Sequence, residues 1–594
     1  MAVAITPQNQ EDTAEMPSVT GATDLLKGLV PVTKAGIVGP MGPSRLAGVV
    51  SAWYQWDFTA GGLLAVAARR DGDRIAVIDD RGPISYRQLD EDAHALATAL
   101  HGRGLRERGR IGILARNHRG FLIAMGASAR LGTDLVLLNT GASTTQLAEV
   151  LAEQKIDWLL VDSEFTPLLT DSAPSVAVFA DAEPAERPEG ADAEPAERPE
   201  GADAEPAERP EGADAEPAER PDGADADQVS FEDLLVEGRR STAPLARRPR
   251  RGRIVVLTSG TTGTPKGANR PEPRSWMPAS ALLSRLPLRS AETTVVASPI
   301  FHTWGLAAAQ VGLALRSTMV LTRRFDPAGT VAQVAAHRAT ALWVVPTMLQ
   351  RITDLPAGDR DVDLSTLRVI AASGSAIPTG VVHKTFEVFG SVLYNFYGST
   401  EVSWASIAQP HELREHPTTA GRPPLGTVVR ILDDRGHEVP HGTVGRVFVG
   451  NGMLFEGYTR SGSEKEISGG LMSTGDLGHF DPTGLLFLDG RSDDMIVSGG
   501  ENVYPREVEN LLSELPGVLE NAVVGIDDPE FGARLAAYVV RTDDPDGAGL
   551  TEDGIKSHVK AHLARHCVPR EVAFLDELPR NPAGKVVPRL LPKA

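Results

Sequence analysis

The sequence has little cysteine and no long apolar run. Its single cysteine, Cys567, excludes an internal disulfide and a thiolate metal cluster and fits a reducing compartment. The first residues are polar and acidic, without the basic and apolar regions of a signal peptide, so we expect a cytoplasmic protein. No charged side chain occurs from Val295 to Leu315, but Pro299 and His302 interrupt this stretch. We interpret it as strand, loop and helix, with membrane contact as the alternative.

Basic residues are outnumbered by acidic ones, 59 against 79. The formal net charge of −20 argues against a nucleic-acid partner. An 11-residue unit, DAEPAERPEGA, occurs four times from Asp181 to Ala224, with one glutamate replaced by Asp222. Each copy holds two prolines and has no apolar face that could build a core or stack as a solenoid. We therefore predict a solvated surface insert over residues 181–227.

The length and the apolar pattern predict several α/β units. A chain of 594 residues is too long for one hydrophobic core. Short apolar runs such as Ile75–Asp79 alternate with helical stretches such as Tyr86–Arg103, and this alternation resumes after the insert. It is typical of parallel sheets. From Gly421 to Tyr458, short strands and turns instead indicate a small antiparallel barrel or sheet.

The pattern of the C-terminal part predicts a compact α+β unit. Between Pro505 and Leu515, the apolar residues Val508, Leu511 and Leu512 share one helical face with Leu515. The predicted fold class is thus α/β: two parallel-rich subdomains plus a small antiparallel barrel, hinged to a small α+β domain. We place the boundaries at residues 1–50 for an N-terminal extension, 51–489 for the large domain and 490–594 for the small one. We expect the extension to dock on the body, with a membrane surface as the alternative.

The strongest chemical signal is Thr258–Gly267, with the sequence TSGTTGTPKG. It follows an apolar strand, so backbone N–H groups and hydroxyls of the loop can converge on phosphate oxygens. Lys266 adds a positive charge. Pro265 stands where the P-loop nucleotide motif needs glycine, so this is a different kind of phosphate loop.

These ten residues resemble the phosphate loop of the adenylate-forming superfamily, which includes acyl-CoA synthetases, luciferases and peptide-synthetase adenylation domains. The resemblance extends in order over most of the chain. Its other segments are ASGSA at Ala372–Ala376, YGSTE at Tyr397–Glu401, STGD at Ser473–Asp476, GRSDD at Gly490–Asp494 and PRNPAGK at Pro579–Lys585.

The resemblance implies a role for each matched residue. It assigns binding of ATP or AMP to Thr258, Ser259, Gly260, Thr261, Thr262, Gly263, Lys266, Gly374, Ser375, Asn395, Tyr397, Gly398, Asp476 and Arg491. The ring of Tyr397 would stack on adenine, while Asp476 and Arg491 would reach the ribose hydroxyls. Thr400 would contact phosphate, and Glu401 would hold Mg²⁺. Without the resemblance, the YGSTE and STGD segments would be interpreted as turns, and Lys585 as a solvated lysine near the end of the sequence.

The same resemblance implies two reaction steps. Lys585 and the phosphate loop would stabilise the charge that gathers on the triphosphate when a carboxylate attacks the α-phosphorus. The small domain would then rotate at Asp493, the hinge position, to let coenzyme A in. Gly499 and Gly500 would line the coenzyme A path, because a residue without Cβ leaves room for a thin cofactor arm; a structural turn is the alternative.

His302 bears on the acid substrate and is the fourth predicted catalytic residue, with Lys585, Thr400 and Glu401. The segment ending in it, PIFH, resembles the motif at which acyl-activating members carry histidine, which favours an acid without an α-amine. A buried structural histidine is the alternative. The closest likeness is to bacterial fatty acyl-CoA synthetases, so we predict a fatty acid–CoA ligase.

Some features leave other functions open. Leu471 and Arg446 depart from residues common in the superfamily, at positions without a catalytic role. A ligase that delivers the acyl group to a carrier protein or an amine would differ only in its acceptor. A nucleotide-binding module without turnover would bind ATP but show no acid-dependent pyrophosphate exchange. We predict no nucleic-acid partner and include peripheral membrane contact as an expectation.

Overall fold

The computed structural model describes ten stretches of the chain. They are residues 22–170, 173–179, 228–258, 266–460, 464–491, 496–498, 501–503, 505–528, 532–581 and 586–592. The acidic insert predicted at 181–227 lies outside them.

Sixteen α-helices occur in these stretches. They are α1 (Ala22–Lys34), α2 (Pro43–Trp56), α3 (Ala60–Asp71), α4 (Tyr86–Gly102), α5 (Arg119–Leu131), α6 (Thr144–Gln154), α7 (Phe231–Arg240), α8 (Met277–Leu283), α9 (Thr303–Leu315), α10 (Pro327–Ala336), α11 (Pro346–Thr353), α12 (Thr379–Phe389), α13 (Pro410–Glu415), α14 (Pro505–Ser513), α15 (Pro545–Gly549) and α16 (Glu552–His562). Capping boxes at Ser85 and Ser143 start α4 and α6, because each serine and a glutamine three residues on satisfy the first free N–H groups.

The described strands fall into four sheets. In chain order they are β1 (Ile75–Asp79), β2 (Gly82–Ser85), β3 (Arg110–Leu114), β4 (Asp134–Leu137), β5 (Trp158–Asp162), β6 (Ser175–Phe179), β7 (Gln228–Ser230), β8 (Arg253–Thr258), β9 (Lys266–Pro271), β10 (Thr293–Val296), β11 (Thr318–Leu321), β12 (Ala341–Val344), β13 (Val369–Ala372), β14 (Leu393–Tyr397), β15 (Ser406–Ala408), β16 (Val428–Leu432), β17 (Gly445–Gly450), β18 (Ile467–Ser468), β19 (Leu471–Phe480), β20 (Leu486–Arg491), β21 (Ile496–Ser498), β22 (Glu501–Val503), β23 (Val518–Asp528), β24 (Gly532–Arg541) and β25 (Glu571–Leu575).

The two largest sheets are mainly parallel. The eight-stranded sheet has the order β15-β14-β13-β12-β10-β11-β1-β2, and the seven-stranded sheet has the order β7-β6-β5-β3-β4-β8-β9. Only the edge pairs β1–β2, β14–β15 and β8–β9 are antiparallel. The central strands β11, β12 and β13 are buried at every position, as expected when helices cover both faces of a sheet.

Two smaller sheets complete the fold. One is antiparallel, with the order β16-β17-β19-β18 and β20 paired to β19. The other belongs to the C-terminal part, where β22-β21-β24-β23 form the sheet and β25 joins β24 in parallel. Val508 and Leu512 of α14 are fully buried against it. The α/β class with a separate small α+β unit is therefore confirmed, while the boundaries at 51–489 and 490–594 stay predictions.

The N-terminal segment from α1 to α2 packs on the body of the protein, as expected. Val32, Val49 and Ala52 are buried, and the Ser280 hydroxyl in α8 donates a hydrogen bond to the carbonyl of Gly28 at 2.5 Å. None of the described helices combines the length and the apolar composition that a bilayer crossing needs.

A buried carboxylate, Asp162, ties the two large sheets together. It ends β5 of the seven-stranded sheet and is fully buried. His118 Nε2 lies 2.9 Å from its Oδ1, and Arg323, which follows β11 of the other sheet, lies 3.0 Å from the same oxygen. Burial acts to raise the pKa of Asp162, but the hydrogen bonds from His118 and Arg116 and the charge of Arg323 lower it below the ordinary value.

We expect Asp162→Asn to destabilise the protein by about 3 kcal/mol, because it leaves buried donors without their anion. The measurement is thermal and chemical unfolding beside the control Glu164→Gln. Glu164 pairs with Arg116 and Arg324 in a partly exposed position, so its loss is expected to be under about 1 kcal/mol.

The lowered pKa of Asp162 predicts that the stability difference between wild type and Asp162→Asn depends on pH. A carboxyl whose pKa is lowered by folding stabilises the protein above its unfolded pKa, and this stabilisation is lost as the pH falls. The gap between wild type and Asp162→Asn is thus expected to be full at pH 7 and to shrink below about pH 4. A gap that stays constant down to pH 2 would contradict this account of the contact.

Candidate active site

One large cavity, of about 1490 Å³, lies at the carboxyl ends of β10, β13 and β14. Open α/β sheets bind ligands at this edge because several strands end there side by side. His302 follows β10, Gly374 follows β13 and Gly398 follows β14. Asp476 and Arg491 of the antiparallel sheet line the opposite wall.

This cavity gathers ten of the predicted site residues. They are His302, Gly374, Ser375, Asn395, Tyr397, Gly398, Thr400, Glu401, Asp476 and Arg491. The fold therefore brings together residues that are separated by up to almost two hundred positions in the sequence.

Other predicted site residues lie outside the described part of the chain. They are Ser259, Gly260, Thr261, Thr262, Gly263, Asp493, Gly499, Gly500 and Lys585, together with the side chain of Thr258. Lys266 is described but does not line the cavity; its backbone pairs with Thr258, and its Nζ lies 5.8 Å from the ring centre of Tyr458. Asn581 and Val586, which flank residues 582–585, both line the cavity.

Tyr397, Asp476 and Arg491 form one hydrogen-bonded group. The Tyr397 hydroxyl donates to Asp476 Oδ2 at 2.5 Å and lies 3.1 Å from the Thr474 hydroxyl. Arg491 Nη1 donates to Asp476 Oδ1 at 3.3 Å, since the two residues face each other in the β19–β20 ladder. Burial, and next the charge of Asp476, raise the pKa of Tyr397 well above its ordinary value. The phenol is thus a fixed donor.

Thr400 and Glu401 lie beside this group, at the polar end of the cavity. The Thr400 hydroxyl lies 3.0 Å from that of Thr303 at the start of α9. Glu401 Oε1 accepts a hydrogen bond from Tyr458 at 2.6 Å. Burial acts to raise the pKa of Glu401, but hydrogen bonds from Tyr458 and Ser399 and nearby positive charge lower it. Glu401 is therefore ionised at neutral pH.

Arg270 is a site residue that the sequence analysis missed. It is 7% exposed, and it donates from Nη1 to the Thr400 carbonyl at 2.8 Å and from Nη2 to the Ser403 hydroxyl at 2.9 Å. Burial lowers its pKa to about 10, against the charge of Glu401, so it stays protonated at neutral pH. The available signal was strand alternation, which puts Arg270 on the same face as the buried Ala268.

Thr303 and Tyr458 were also missed. Each contacts a predicted residue through its side chain, yet neither belongs to a segment that resembles a family motif. A threonine after a loop and a tyrosine in a turn-rich region carry no signal of their own in the sequence.

Two glycines shape the polar end. Gly374 has φ of +108°, a region that other residues rarely adopt. A Cβ on Gly398 would lie 2.3 Å from the carbonyl oxygen of Ser403, so only glycine fits there. Asn395, at the base of the same loop, donates to the carbonyl of Thr419 at 3.3 Å.

His302 marks the point where the cavity becomes apolar. It precedes α9 as the residue at its N-cap, and its ring lies 4.4 Å from that of Phe301. Burial lowers the pKa of His302 to about 4, so the ring is neutral at pH 7. Within the described part of the chain, its Nε2 has no hydrogen-bond partner. The site thus joins a polar end, suited to a phosphate-bearing ligand, with an apolar end behind an uncharged imidazole.

The chain matches two family models. Residues 64–459 match the AMP-binding enzyme family, and residues 507–585 match the C-terminal domain of AMP-binding enzymes. The indoleacetate–CoA ligase of Aromatoleum aromaticum is 31% identical over 514 residues, which cover 85% of this chain and 91% of that enzyme. A ligase of Rhodococcus jostii named for a methyl-dioxo-octahydroindenyl propanoate is 30% identical over 555 residues, which cover 90% of this chain and 98% of that enzyme.

Solved structures with the same fold agree with this match. The amide bond synthetase McbA of Marinactinospora thermotolerans superposes with a TM-score of 0.72 at 28% identity, covering 89% of this chain and 98% of that one. The o-succinylbenzoate CoA synthetase of Bacillus subtilis, bound to its acyl-adenylate, superposes with a TM-score of 0.72 at 24% identity, covering 90% and 98%. Together with the family match over two thirds of its length, these findings show that the chain belongs to the AMP-binding enzyme family.

Proposed function

We propose that the protein uses ATP to convert a carboxylic acid into an acyl-adenylate and then transfers the acyl group to coenzyme A, releasing pyrophosphate and AMP. The observation that carries the proposal is a single cavity that joins the polar end around Tyr397, Asp476 and Glu401 to the apolar end behind His302. Relatives named as CoA ligases support coenzyme A as the acceptor.

The polar end suits a nucleotide. The hydrogen bond to Asp476 fixes the edge of the Tyr397 ring, so its face can serve as a platform for adenine. Each carboxylate oxygen of Asp476 has two lone pairs, and the structure shows one donor on each from Tyr397 and Arg491. The second lone pairs remain for the ribose hydroxyls.

Mg²⁺ fits the residues at this end. Among the described residues no group of three His, Cys, Asp or Glu side chains could form a metal cage by itself. Mg²⁺ commonly needs only one or two carboxylates, with phosphate and water as its other ligands. Glu401, ionised and hydrogen-bonded through Oε1, is the residue that would hold it, and the ion would neutralise charge on the triphosphate.

The first step is attack of a substrate carboxylate oxygen on the α-phosphorus of ATP. The bond from this phosphorus to the bridging oxygen breaks, and pyrophosphate leaves with the electron pair. The neutral ring of His302 does not form an ion pair with the carboxylate, which therefore keeps its nucleophilic charge. Lys585, predicted from the sequence, would supply positive charge in this step.

In the second step the thiolate of coenzyme A attacks the acyl carbonyl, and AMP leaves as the acyl–oxygen bond breaks. AMP is a good leaving group, whereas a free carboxylate would have to release an oxide ion. Formation of the adenylate therefore allows the thioester to form. Asp493 as hinge and Gly499 and Gly500 as lining of the coenzyme A path remain predictions from the resemblance.

For the acid substrate, we propose a chemical class and not a single compound. The relatives include ligases named for indoleacetate, ferulate and 2-succinylbenzoate, so the predicted fatty acid is one candidate beside aromatic and other ring-containing acids. The wall behind His302 is apolar. We propose an acid with a large apolar body and without an α-amine.

Delivery of the acyl group to an amine is the second candidate function. It is favoured by one observation, the superposition with an amide bond synthetase at 28% identity over 89% of this chain. That reaction shares the adenylation step, so the polar end would be used in the same way and only the acceptor would differ.

Peripheral membrane contact and a cytoplasmic location stay predictions. The N-terminal segment supports the membrane contact, since it contains half of the exposed large apolar side chains of the described residues. These are Val30, Val38, Leu46, Val50, Trp53 and Tyr54.

A panel of acids and acceptors tests the proposed function. We expect acid- and ATP-dependent pyrophosphate release with at least one fatty or aromatic acid, and AMP formation that accelerates strongly when coenzyme A is added. Acceleration by an amine or a carrier protein instead would select the second candidate. ATP binding without acid-dependent pyrophosphate exchange would reject both.

Lys585→Ala is expected to slow adenylation by about 10²–10³, the usual cost of losing one transition-state donor. Thioester formation from supplied acyl-adenylate should be largely unchanged, because no triphosphate charge develops in that step. Single-turnover assays of each step give the measurement, with Lys560→Ala on α16 as the matched control. Equal losses in both steps would contradict a role for Lys585 in adenylation alone.

Arg270→Met is expected to lower kcat/KM for adenylation by about 10–100-fold, since it removes two hydrogen bonds from a charged donor to the Thr400–Ser403 loop. Arg270 acts as a positioning residue, so Arg270→Lys should restore part of the rate and the Mg²⁺ concentration for half-maximal rate should rise in Arg270→Met. The control is Arg253→Met, on the neighbouring strand and paired with Glu456 at the surface. Loss of thermal stability with unchanged kinetics in the folded fraction would show a purely structural role.

A further inference from the structure

Beyond His302, the cavity continues along one face of α9. Thr303, Ala307, Gln310 and Ala314 all line it, and their spacing of three or four residues places them on the same side of the helix. A helix of 13 residues is about 20 Å long. The apolar end of the cavity, called the tunnel below, therefore extends along α9 away from the adenylation centre.

The middle of this tunnel is walled by hydrocarbon from three directions. Leu63 and Val66 come from α3, Leu29 and Val49 from the N-terminal segment, and Leu282 from α8. A ligand there gains from burial of apolar surface and finds no side-chain charge in this stretch of the wall.

At the far end of the tunnel, the lining changes from apolar to positively charged. Arg70 and Arg316 line it. The guanidinium of Arg316 is already used, since it pairs with Asp71 at 2.7 Å and donates to the carbonyl of Gly36 at 3.0 Å. Arg70 donates from Nη1 to the carbonyl of Ile37 at 2.5 Å, and no carboxylate of the described stretches forms an ion pair with it.

Positive charge accumulates around this end. A second cavity, of about 420 Å³, adjoins the tunnel and shares Arg70 and Arg316 with it. Six of its lining residues are basic and one, Asp71, is acidic; the basic ones are Lys34, Arg45, Arg70, Arg74, Arg289 and Arg316. Burial, and next the charge of Arg70, lower the pKa of Arg316, which places the two guanidinium groups within range of mutual repulsion. An anion would relieve this repulsion.

We infer that the far end of the tunnel is a subsite for an oxygen acceptor on the acid substrate, and that Arg70 binds it. The substrate class is a long acid with an apolar body and a carboxylate or keto oxygen at the end opposite to the activated carboxyl. This inference rests on the proposed function for the identity of the substrate, but binding at Arg70 does not require turnover.

The chemistry of the two ends favours such a ligand over a plain hydrocarbon chain. A methyl terminus of the same length would displace water from the partly exposed Arg70 without accepting a hydrogen bond from its remaining donors, and this desolvation is unfavourable. A site built around donors therefore discriminates against analogues that lack the acceptor. The activated carboxyl lies at the His302 end, beside the polar end of the cavity, so the second oxygen acceptor reaches Arg70.

Matched acids test the subsite. Saturated α,ω-dicarboxylic acids, (ω−1)-keto acids and monocarboxylic acids of equal length are compared for pyrophosphate release and, by calorimetry, for binding. The lengths are chosen to span the tunnel. The wild type is expected to prefer the difunctional acid at the matching length by about 10–100-fold in kcat/KM, the equivalent of one charge-assisted hydrogen bond. The keto acids separate hydrogen bonding from charge pairing as the source of the preference.

Arg70→Met should remove this preference through KM, with monocarboxylic acids changed by less than about threefold. Arg70→Lys should keep part of it, because the charge remains and the fork geometry is lost. Arg69→Met is the matched control: Arg69 is the preceding residue on α3, lies over the Trp56 ring at 5.2 Å and does not line the tunnel. It should change neither class of acid.

The results separate failure of the subsite from failure of the function. A wild-type preference for monocarboxylic acids at every length, or an equal loss for both classes in Arg70→Met, would overturn the subsite and leave the ligase activity standing. Absence of turnover with every acid would overturn the proposed function; calorimetry with the difunctional acids would still show a drop in affinity for Arg70→Met if the subsite is real, and none if it is not.

Discussion

The hydroxyl of Tyr397 bonds to Asp476 across the boundary between two sheets of different construction. Tyr397 ends β14 of the eight-stranded, mainly parallel sheet, and Asp476 lies within β19 of the antiparallel sheet, opposite Arg491. Because the phenol is half-buried and its pKa is raised well above the ordinary value, this donor does not titrate at neutral pH. The contact sets the distance between an aromatic face and a carboxylate, the two groups that the proposed nucleotide site uses.

The charges beneath this contact depend on one another. A buried arginine is unfavourable unless its donors are satisfied, and Arg270 uses two of them on the Thr400 carbonyl and the Ser403 hydroxyl. Its charge lies near the ionised Glu401, whose Oε1 is held by Tyr458. The loop between Tyr397 and Ser403 is thus held by the positively charged Arg270 and contains the negatively charged Glu401. Charges held in this way before a ligand arrives do not need to reorganise when negative charge develops on a phosphate.

Much of the fold follows from local patterns in the sequence. The predicted strand Ile75–Asp79 is β1, and the predicted helix Tyr86–Arg103 ends one residue earlier, at Gly102. The helix predicted to reach Leu515 ends at Ser513, where helix ends fray. Apolar periodicity reports which face of an element is buried, but it contains no information on which elements meet.

The residues of the site differ in the same way, because some were predictable from sequence motifs and others only from tertiary contacts. Tyr397 and Asp476 were placed in one site through family motifs alone, since nothing in their own segments indicates a contact. Arg270, Thr303 and Tyr458 lie outside such motifs, and their roles arise from tertiary contacts that only the folded chain shows. Arg270 is the sharpest case, because a strand arginine is normally interpreted as solvent-facing.

The two ends of the cavity have different origins in the chain. The loops after β13 and β14, which supply Tyr397 and Glu401 to the polar end, lie within the family match at residues 64–459, whereas Asp476 and Arg491 lie outside it. The apolar tunnel is walled in part by Leu29 and Val49, which precede that match, and its far end by Arg70, just inside it. The wall of the proposed acid-binding tunnel therefore includes residues outside the matched segment. For this reason the acids named for the relatives cannot simply be transferred to this chain, and the contacts of α1, α2 and α3 with the tunnel are where its selectivity has to be sought.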